Sequence, residues 1–194
     1  MRSLRFAVAA LCIAAVATPV AGQNSLSPGA EFVGAVRKSD GSAAAKLLDE
    51  HGGSIINARD YNDNTALIAA INNNADSWVG FLLSKGADPN LAGPRGETPL
   101  IAAARIGYED AVDWLLSKGA KVDQTNRMGE TPLIIAVQHR QARIAKQLLK
   151  VGANPDKTDG AAGLSARDYA TRDTRSREIL NLINAAKPKP AASR

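Results

Sequence analysis

Residues 96–123, GETPLIAAARIGYEDAVDWLLSKGAKVD, fall back into register when the chain is shifted by 33 positions in either direction. Forward, Gly129 opens GETPLIIAVQHRQARIAKQLLKVGANPD; backward, Asp63 opens DNTALIAAINNNADSWVGFLLSKGADPN. Thr65, Thr98 and Thr131 keep the spacing, as do Leu82-Leu83, Leu115-Leu116 and Leu148-Leu149, and Gly86-Ala87, Gly119-Ala120 and Gly152-Ala153. A unit this short cannot enclose a core of its own. The period therefore requires stacked copies, each burying its apolar side against its neighbours.

Each part of the unit has a physical role. Thr98 and Thr131 stand where a helix N-cap belongs, followed by Pro99 and Pro132 at the first helical position. There the hydroxyl satisfies an orphan amide and the missing proline N–H costs nothing. The small apolar run Leu100 to Ala104 lets this helix lie close to its copies. Gly107 permits a turn into a second helix, Tyr108 to Ser117, with Val112, Leu115 and Leu116 on one stripe. Gly119 supplies the left-handed residue that ends it.

TPLIAA at 98–103 and TPLIIA at 131–136, with the second-helix endings LLSKGA and LLKVGA, resemble the ankyrin repeat and its T-P-L-H-x-A signature. The resemblance covers nearly all of the chain after residue 26. It implies an all-α ankyrin-repeat solenoid of about five helix-turn-helix units joined by hairpin-like loops, acting by protein binding. The family's usual histidine is Ile68, Ile101 and Ile134 here, so the polar tie that it gives to the loops is missing.

Residues 1–22 read as a secretory signal: Arg2 and Arg5 precede a 12-residue apolar run, Phe6 to Ala17, and Thr18-Pro19 breaks the helix before Val20, Ala21 and Gly22. A membrane anchor needs about 20 apolar residues, so cleavage is expected near Gly22, with Ala17 or Ala21 as alternatives. Cys12, the only cysteine, leaves with the signal, and disulfides, thiol catalysis and thiolate metal sites leave with it. The expected location is the bacterial periplasm, or secretion. Residues 23–186 form the repeat domain, with units at about 27–58, 59–91, 92–124, 125–157 and 158–186. The first unit lacks the Thr-Pro start. The fifth slips by one residue, with Ser165-Ala166 for Thr-Pro, and both differences suit terminal caps. Residues 187–194, KPKPAASR, are expected to be a disordered basic tail.

The chain carries 24 Lys and Arg against 19 Asp and Glu, but Arg2, Arg5, Lys187, Lys189 and Arg194 lie outside the repeats, which leaves 19 against 19. A balanced domain lacks the basic footprint of a nucleic-acid binder. The charge is unevenly placed: residues 23–126 hold 9 basic and 13 acidic side chains, residues 127–186 hold 10 and 6.

The residues supply no chemistry. His51 and His139 stand in different units, without the converging ligands that a zinc site needs. His51, before Gly52-Gly53, suits the negative end of a helix dipole, and Glu109-Asp110 suit the positive end of another. Asn57, Asn90, Asp123 and Asp156 recur at 33 and are expected to bond their own loop backbone, too far apart to share a cation. No catalytic residue, cofactor or metal is assigned. Phe81 and Trp114 share one repeat position, held by Gln147 in the fourth unit. They are expected side by side and partly exposed, filling the groove between adjacent helices, with an aromatic contact patch as the alternative. Trp78 aligns with Ala111 and Ile144 and is expected in the core, while Arg143, Lys146 and Lys150 form a solvated basic stripe.

A partner would meet the hairpin tips and the concave side of the first helices, where repeats vary most. Variation collects at the tips in Tyr61-Asn62, Pro94-Arg95 and Arg127-Met128, and at the first-helix ends in Asn72-Asn73, Arg105-Ile106 and Gln138-His139. Tyr61, Asn62, Asn72, Asn73, Arg95, Arg105, Ile106, Arg127, Met128, Gln138 and His139 are the candidate contacts, with Tyr61, Arg95, Arg105 and Met128 foremost. The expected function is non-catalytic binding of a protein partner by a monomer, without affinity for nucleic acid or, after signal cleavage, for membrane. The alternative is an accessory, chaperone-like or immunity protein dedicated to one envelope enzyme or toxin.

Overall fold

Threonine caps set the frame of the molecule. In a computed structural model that describes residues 27–186, the Thr65, Thr98 and Thr131 hydroxyls accept from the amides of Ile68, Ile101 and Ile134 at 3.2, 3.2 and 3.1 Å. The expected signal peptide and basic tail lie outside the described residues. Behind the caps run α3 (Ala66–Asn72), α5 (Pro99–Ile106) and α7 (Pro132–Gln138). Each packs against both neighbours: all residues of α7 except Gln138 are buried, and all of α3 except Asn72. Their partners are α4 (Asp76–Ser84), α6 (Glu109–Ser117) and α8 (Ala142–Lys150). At the ends stand α1 (Pro28–Arg37) with α2 (Gly41–His51), and α9 (Ala166–Arg172) with α10 (Arg177–Ala185).

The first helices α1, α3, α5, α7 and α9 stack on one another in one layer. In the second layer α4, α6, α8 and α10 stack likewise, whereas α2 barely touches α4. The core is one continuous cluster between the layers, from Phe32 and Val33 through Leu67, Leu100 and Leu133 to Ile179 and Ile183. Ile68, Ile101 and Ile134 are fully buried within or beside it.

Second helices end as Gly119 led us to expect. Gly86, Gly119 and Gly152 take φ of 88°, 86° and 86°. The next amides, of Ala87, Ala120 and Ala153, donate back to the carbonyls of Leu82, Leu115 and Leu148, a Schellman closure. Between first and second helix, Gly107 (φ 81°) makes the expected turn, but Ser39, Asn74 and Arg140 make the same turn at φ of 58°, 51° and 56°. Helix α6 begins one residue later than expected, because Tyr108, like Ala75 and Gln141 at the same position, keeps a non-helical backbone after the left-handed turn; its hydroxyl bonds the Asp76 carboxylate. Burial and that carboxylate together raise the Tyr108 pKa.

Two expectations for the terminal units need correction. The first unit does have a capped proline start. Ser27 accepts from the Ala30 amide at 3.2 Å and Pro28 is the first helical residue; α1 is longer than the internal first helices, which hides the pair from the period. In the fifth unit the slip grows from one residue to two: one extra residue lies in the loop before α9 and another in the Thr174–Ser176 turn before α10, whose buried Ile179 and Ile183 stand 35 positions after Ile144 and Leu148. Backbone bonds close the hairpins from Asp60 to Asn64, Gly93 to Glu97 and Asn126 to Glu130, but from Asp159 to Leu164 in the last. The first extra residue lies within 160–164, and Ser165 then caps α9 through a reciprocal box with Asp168.

The recurrent Asn and Asp also behave differently from expectation. Each reaches into the next unit instead of bonding its own loop. The Asp88 amide donates to Asn57 Oδ1 at 2.8 Å, Lys121 to Asn90 Oδ1 at 2.7 Å and Asn154 to Asp123 Oδ1 at 3.0 Å. Asn90 Nδ2 also donates to the Gly119 carbonyl at 3.2 Å. Asp156, with only the cap beyond it, takes Arg167 at 2.7 Å.

Candidate interaction surface

Four hairpins project on the side of the first-helix layer, and the same position begins each of them: Asp60, Gly93, Asn126 and Asp159. Where that residue carries an acceptor, it gathers the loop amides. Asp60 Oδ1 accepts from Asn62 and Asn64, both at 2.9 Å, and Asn126 Oδ1 accepts from Met128 and Glu130 at 2.9 and 3.0 Å. Asp159 Oδ1 accepts from Ala161, Ala162 and Gly163 at 3.1, 2.7 and 2.9 Å. These bonds tie three of the four loops in place of the family histidine; the Gly93 loop carries no such side chain. Burial by itself would raise the pKa of Asp159. The Tyr169 hydroxyl, donating at 2.6 Å, and the loop amides outweigh it and hold the carboxyl below its ordinary range. In Asp60 burial is likewise outweighed, here by the Arg37 guanidinium and the two amides.

Successive tips are joined through the backbone. The Arg127 amide donates to the Arg95 carbonyl at 3.0 Å and Gly160 to the Met128 carbonyl at 2.7 Å. The joins need glycine. A Cβ on Gly96 would lie 3.1 Å from Arg127 N and 3.2 Å from Arg127 Cγ; one on Gly129 would lie 2.5 Å from Gly160 N. Among the described residues no such bond joins the Tyr61 tip to the Arg95 tip.

The candidate contacts divide into two groups. Tyr61 and Met128 are 74% and 53% exposed, and Asn62, Arg95 and Arg127 are exposed on the same tips. Along the first-helix ends, Asn72, Asn73, Ile106, Gln138 and His139 are exposed, but several are engaged. Arg105 is half-buried, its guanidinium 2.6 Å from Glu97 and 3.4 Å from Asn72 Oδ1. Gln138 donates to Glu130 Oε1 at 3.2 Å, and Asn73 Nδ2 to the Arg37 carbonyl at 2.8 Å. The structure therefore gives Arg105 an internal partner, which the sequence reading did not foresee. The row of acids beneath the tips, Asp60, Glu97, Glu130 and Asp159, was also missed. Its signal was present in the spacing of 33 between Glu97 and Glu130 and between Asn126 and Asp159.

On the other layer Phe81 and Trp114 are partly exposed, as expected, and each packs on a ring of its own unit. Phe81 packs edge-on against Trp78, centroids 5.8 Å apart at 88°, and Trp114 against Tyr108 at 6.3 Å and 74°. Trp78 is only half-buried, because α2 stands off and leaves a groove of about 300 Å³ lined by Gly41, Ala45, Ser77, Trp78 and Phe81. Glu109 and Asp110 do start α6, and Lys146 and Lys150 are exposed on α8 with Arg143, whose Nη1 is 3.5 Å from Glu109. Among the described residues no three His, Cys, Asp or Glu side chains converge as a metal would require, and no helix is long and apolar enough to cross a membrane.

Paired helices stacked at a fixed period, with hairpins projecting from one side, define an interaction scaffold of the repeat class. Comparison with family models specifies it. The model described as "Ankyrin repeats (3 copies)" matches residues 79–159 and "Ankyrin repeats (many copies)" matches residues 47–105. The chain belongs to the ankyrin-repeat family, whose members are generally non-catalytic protein-interaction modules. No curated protein matches the sequence.

Proposed function

We propose that this chain is a non-catalytic, exported protein-binding module that holds a protein partner on its hairpin tips and first-helix ends. One observation carries this. Among the described residues four large hydrophobic side chains are exposed: Tyr61, Met128 and Ile106 lie on that face, and Val151, after α8, lies elsewhere. Aromatic and methionine side chains held in water on rigid loops contribute little to folding and are the residue types that anchor interfaces. Export to the periplasm is supported by the basic start and apolar run of residues 1–22.

Immobilised mature protein, exposed to a periplasmic extract, tests the surface. Tyr61→Ala with Met128→Ala should reduce recovery of the partner at least about ten-fold, with an unchanged thermal melt. Equal recovery by the double variant would rule out the tips. N-terminal sequencing of the exported chain should begin at Gln23; a chain that retains Met1 in the cytoplasm would overturn the location.

A further inference from the structure

We infer that Met128 is a reversible oxidation site, at which a peroxide converts the thioether to the sulfoxide and withdraws an apolar anchor from the tip face. The inference rests on the function proposed above. Beyond the signal of residues 1–22, Met128 is the only methionine in the sequence, and the only cysteine, Cys12, lies within that signal. One sulfur atom of the exported chain is therefore open to this chemistry. Its side chain is 53% exposed at the tip of the 126–130 hairpin and stands outside the core. The same position carries Asn62 and Arg95 in the preceding units, so the fold requires no apolar group there.

The thioether sulfur attacks one oxygen of a hydroperoxide. The S–O bond forms as the O–O bond breaks, the sulfur gives up two electrons, and the other oxygen leaves as water or an alcohol. A reductase dithiol reverses the step, releasing the added oxygen as water and ending as a disulfide. The sulfoxide is polar and a strong acceptor, so covering it with an apolar partner surface leaves that acceptor unmet. The hairpin itself does not depend on the side chain. The Met128 amide donates to Asn126 Oδ1 at 2.9 Å, the Met128 carbonyl accepts from Gly160 at 2.7 Å, and the Gly129 amide donates to the Asn126 carbonyl at 3.0 Å. Oxidation alters none of these groups, so the change is read at the surface and not in the fold. Tyr61 and Ile106 keep their apolar surface on the same face, so oxidation weakens capture without abolishing it. Trp78 and Trp114, the tryptophans of the other layer, are partly buried.

The exported chain, isotopically labelled at its methionine methyl group, tests this by NMR and by capture. It should show one methyl resonance, which dilute hydrogen peroxide replaces with the sulfoxide signal while the thermal melt stays unchanged. After removal of the peroxide, capture from the periplasmic extract should fall at least about ten-fold. Methionine sulfoxide reductases of both stereospecificities, with dithiothreitol, should restore the thioether signal and the capture together. Met128→Leu, which keeps an apolar side chain, should capture like the untreated chain and be indifferent to peroxide. A thioether that resists peroxide, a melt lowered by oxidation, or an equal peroxide loss in Met128→Leu would each overturn the inference. The two proposals fail separately. Capture lost with Tyr61→Ala and Met128→Ala but kept by the oxidised chain would sink the oxidation site alone; capture kept by both would sink the surface.

Discussion

Asp159 shows how much one side chain does at the end of this chain. It is buried, gathers three loop amides through one oxygen and takes the Tyr169 hydroxyl on the other. Its carboxyl is held below the ordinary value of about 3.9. A depressed folded-state pKa contributes stability above the unfolded value that is lost as pH falls through the folded one. Asp173 acts in the same direction, with a pKa lowered to about 2 by the Arg175 amide and the Arg140 and Arg175 guanidiniums. The melting temperature should therefore fall as pH drops from about 4 toward 2. Asp159→Asn, which keeps an acceptor for the amides but cannot titrate, should fall less steeply. Parallel curves for the two proteins would show that Asp159 is not a source of the acid sensitivity.

At the scale of the element, the unit is a helix pair plus a hairpin, and the hairpin joins are as specific as the helix packing. Gly119 and Gly129 both have left-handed backbones, at φ 86° and 78°, but only Gly129 faces another backbone, with Gly160 N 2.5 Å from an added Cβ. Alanine at either position carries the same conformational cost of about 1 kcal/mol. Gly129→Ala should cost a further ~1–3 kcal/mol for the forced separation of two tips, read from urea unfolding of the two variants. Equal losses would mean that the tips part freely. Arg105 belongs to this scale too. Reversing its charge would set a carboxylate against Glu97, so Arg95 and Arg127, not Arg105, are the residues to change when binding is probed without disturbing the fold.

Across the whole molecule the layers are unequal. The first helices form an unbroken stack, but α2 buries only Ala44 and stands off from α4. Stability in a stacked array is a sum over units and their interfaces, and a helix with one buried residue adds little. Hydrogen exchange should be fastest in α2 and slowest in α7, which has burial on both sides. Equal protection in α2 and α7 would show that the array unfolds as a single unit. The half-exposed Trp78 and Phe81 follow from the same gap.

The sequence alone determined the period, the threonine caps with their prolines, the glycine endings of the second helices and hence the paired-helix solenoid. Those features act within about five residues of themselves, and local sterics and hydrogen bonding decide them. It also located the variable face, because comparison of units in register needs no coordinates. Only the tertiary structure decided where the recurring polar side chains went. Asn57, Asn90 and Asp123 bond the following unit, Arg105 serves Glu97, and Trp78 is left half-exposed. Each depends on how one unit is set against the next, and a pattern repeated at 33 residues is the same whether a side chain turns back on its own loop or reaches across.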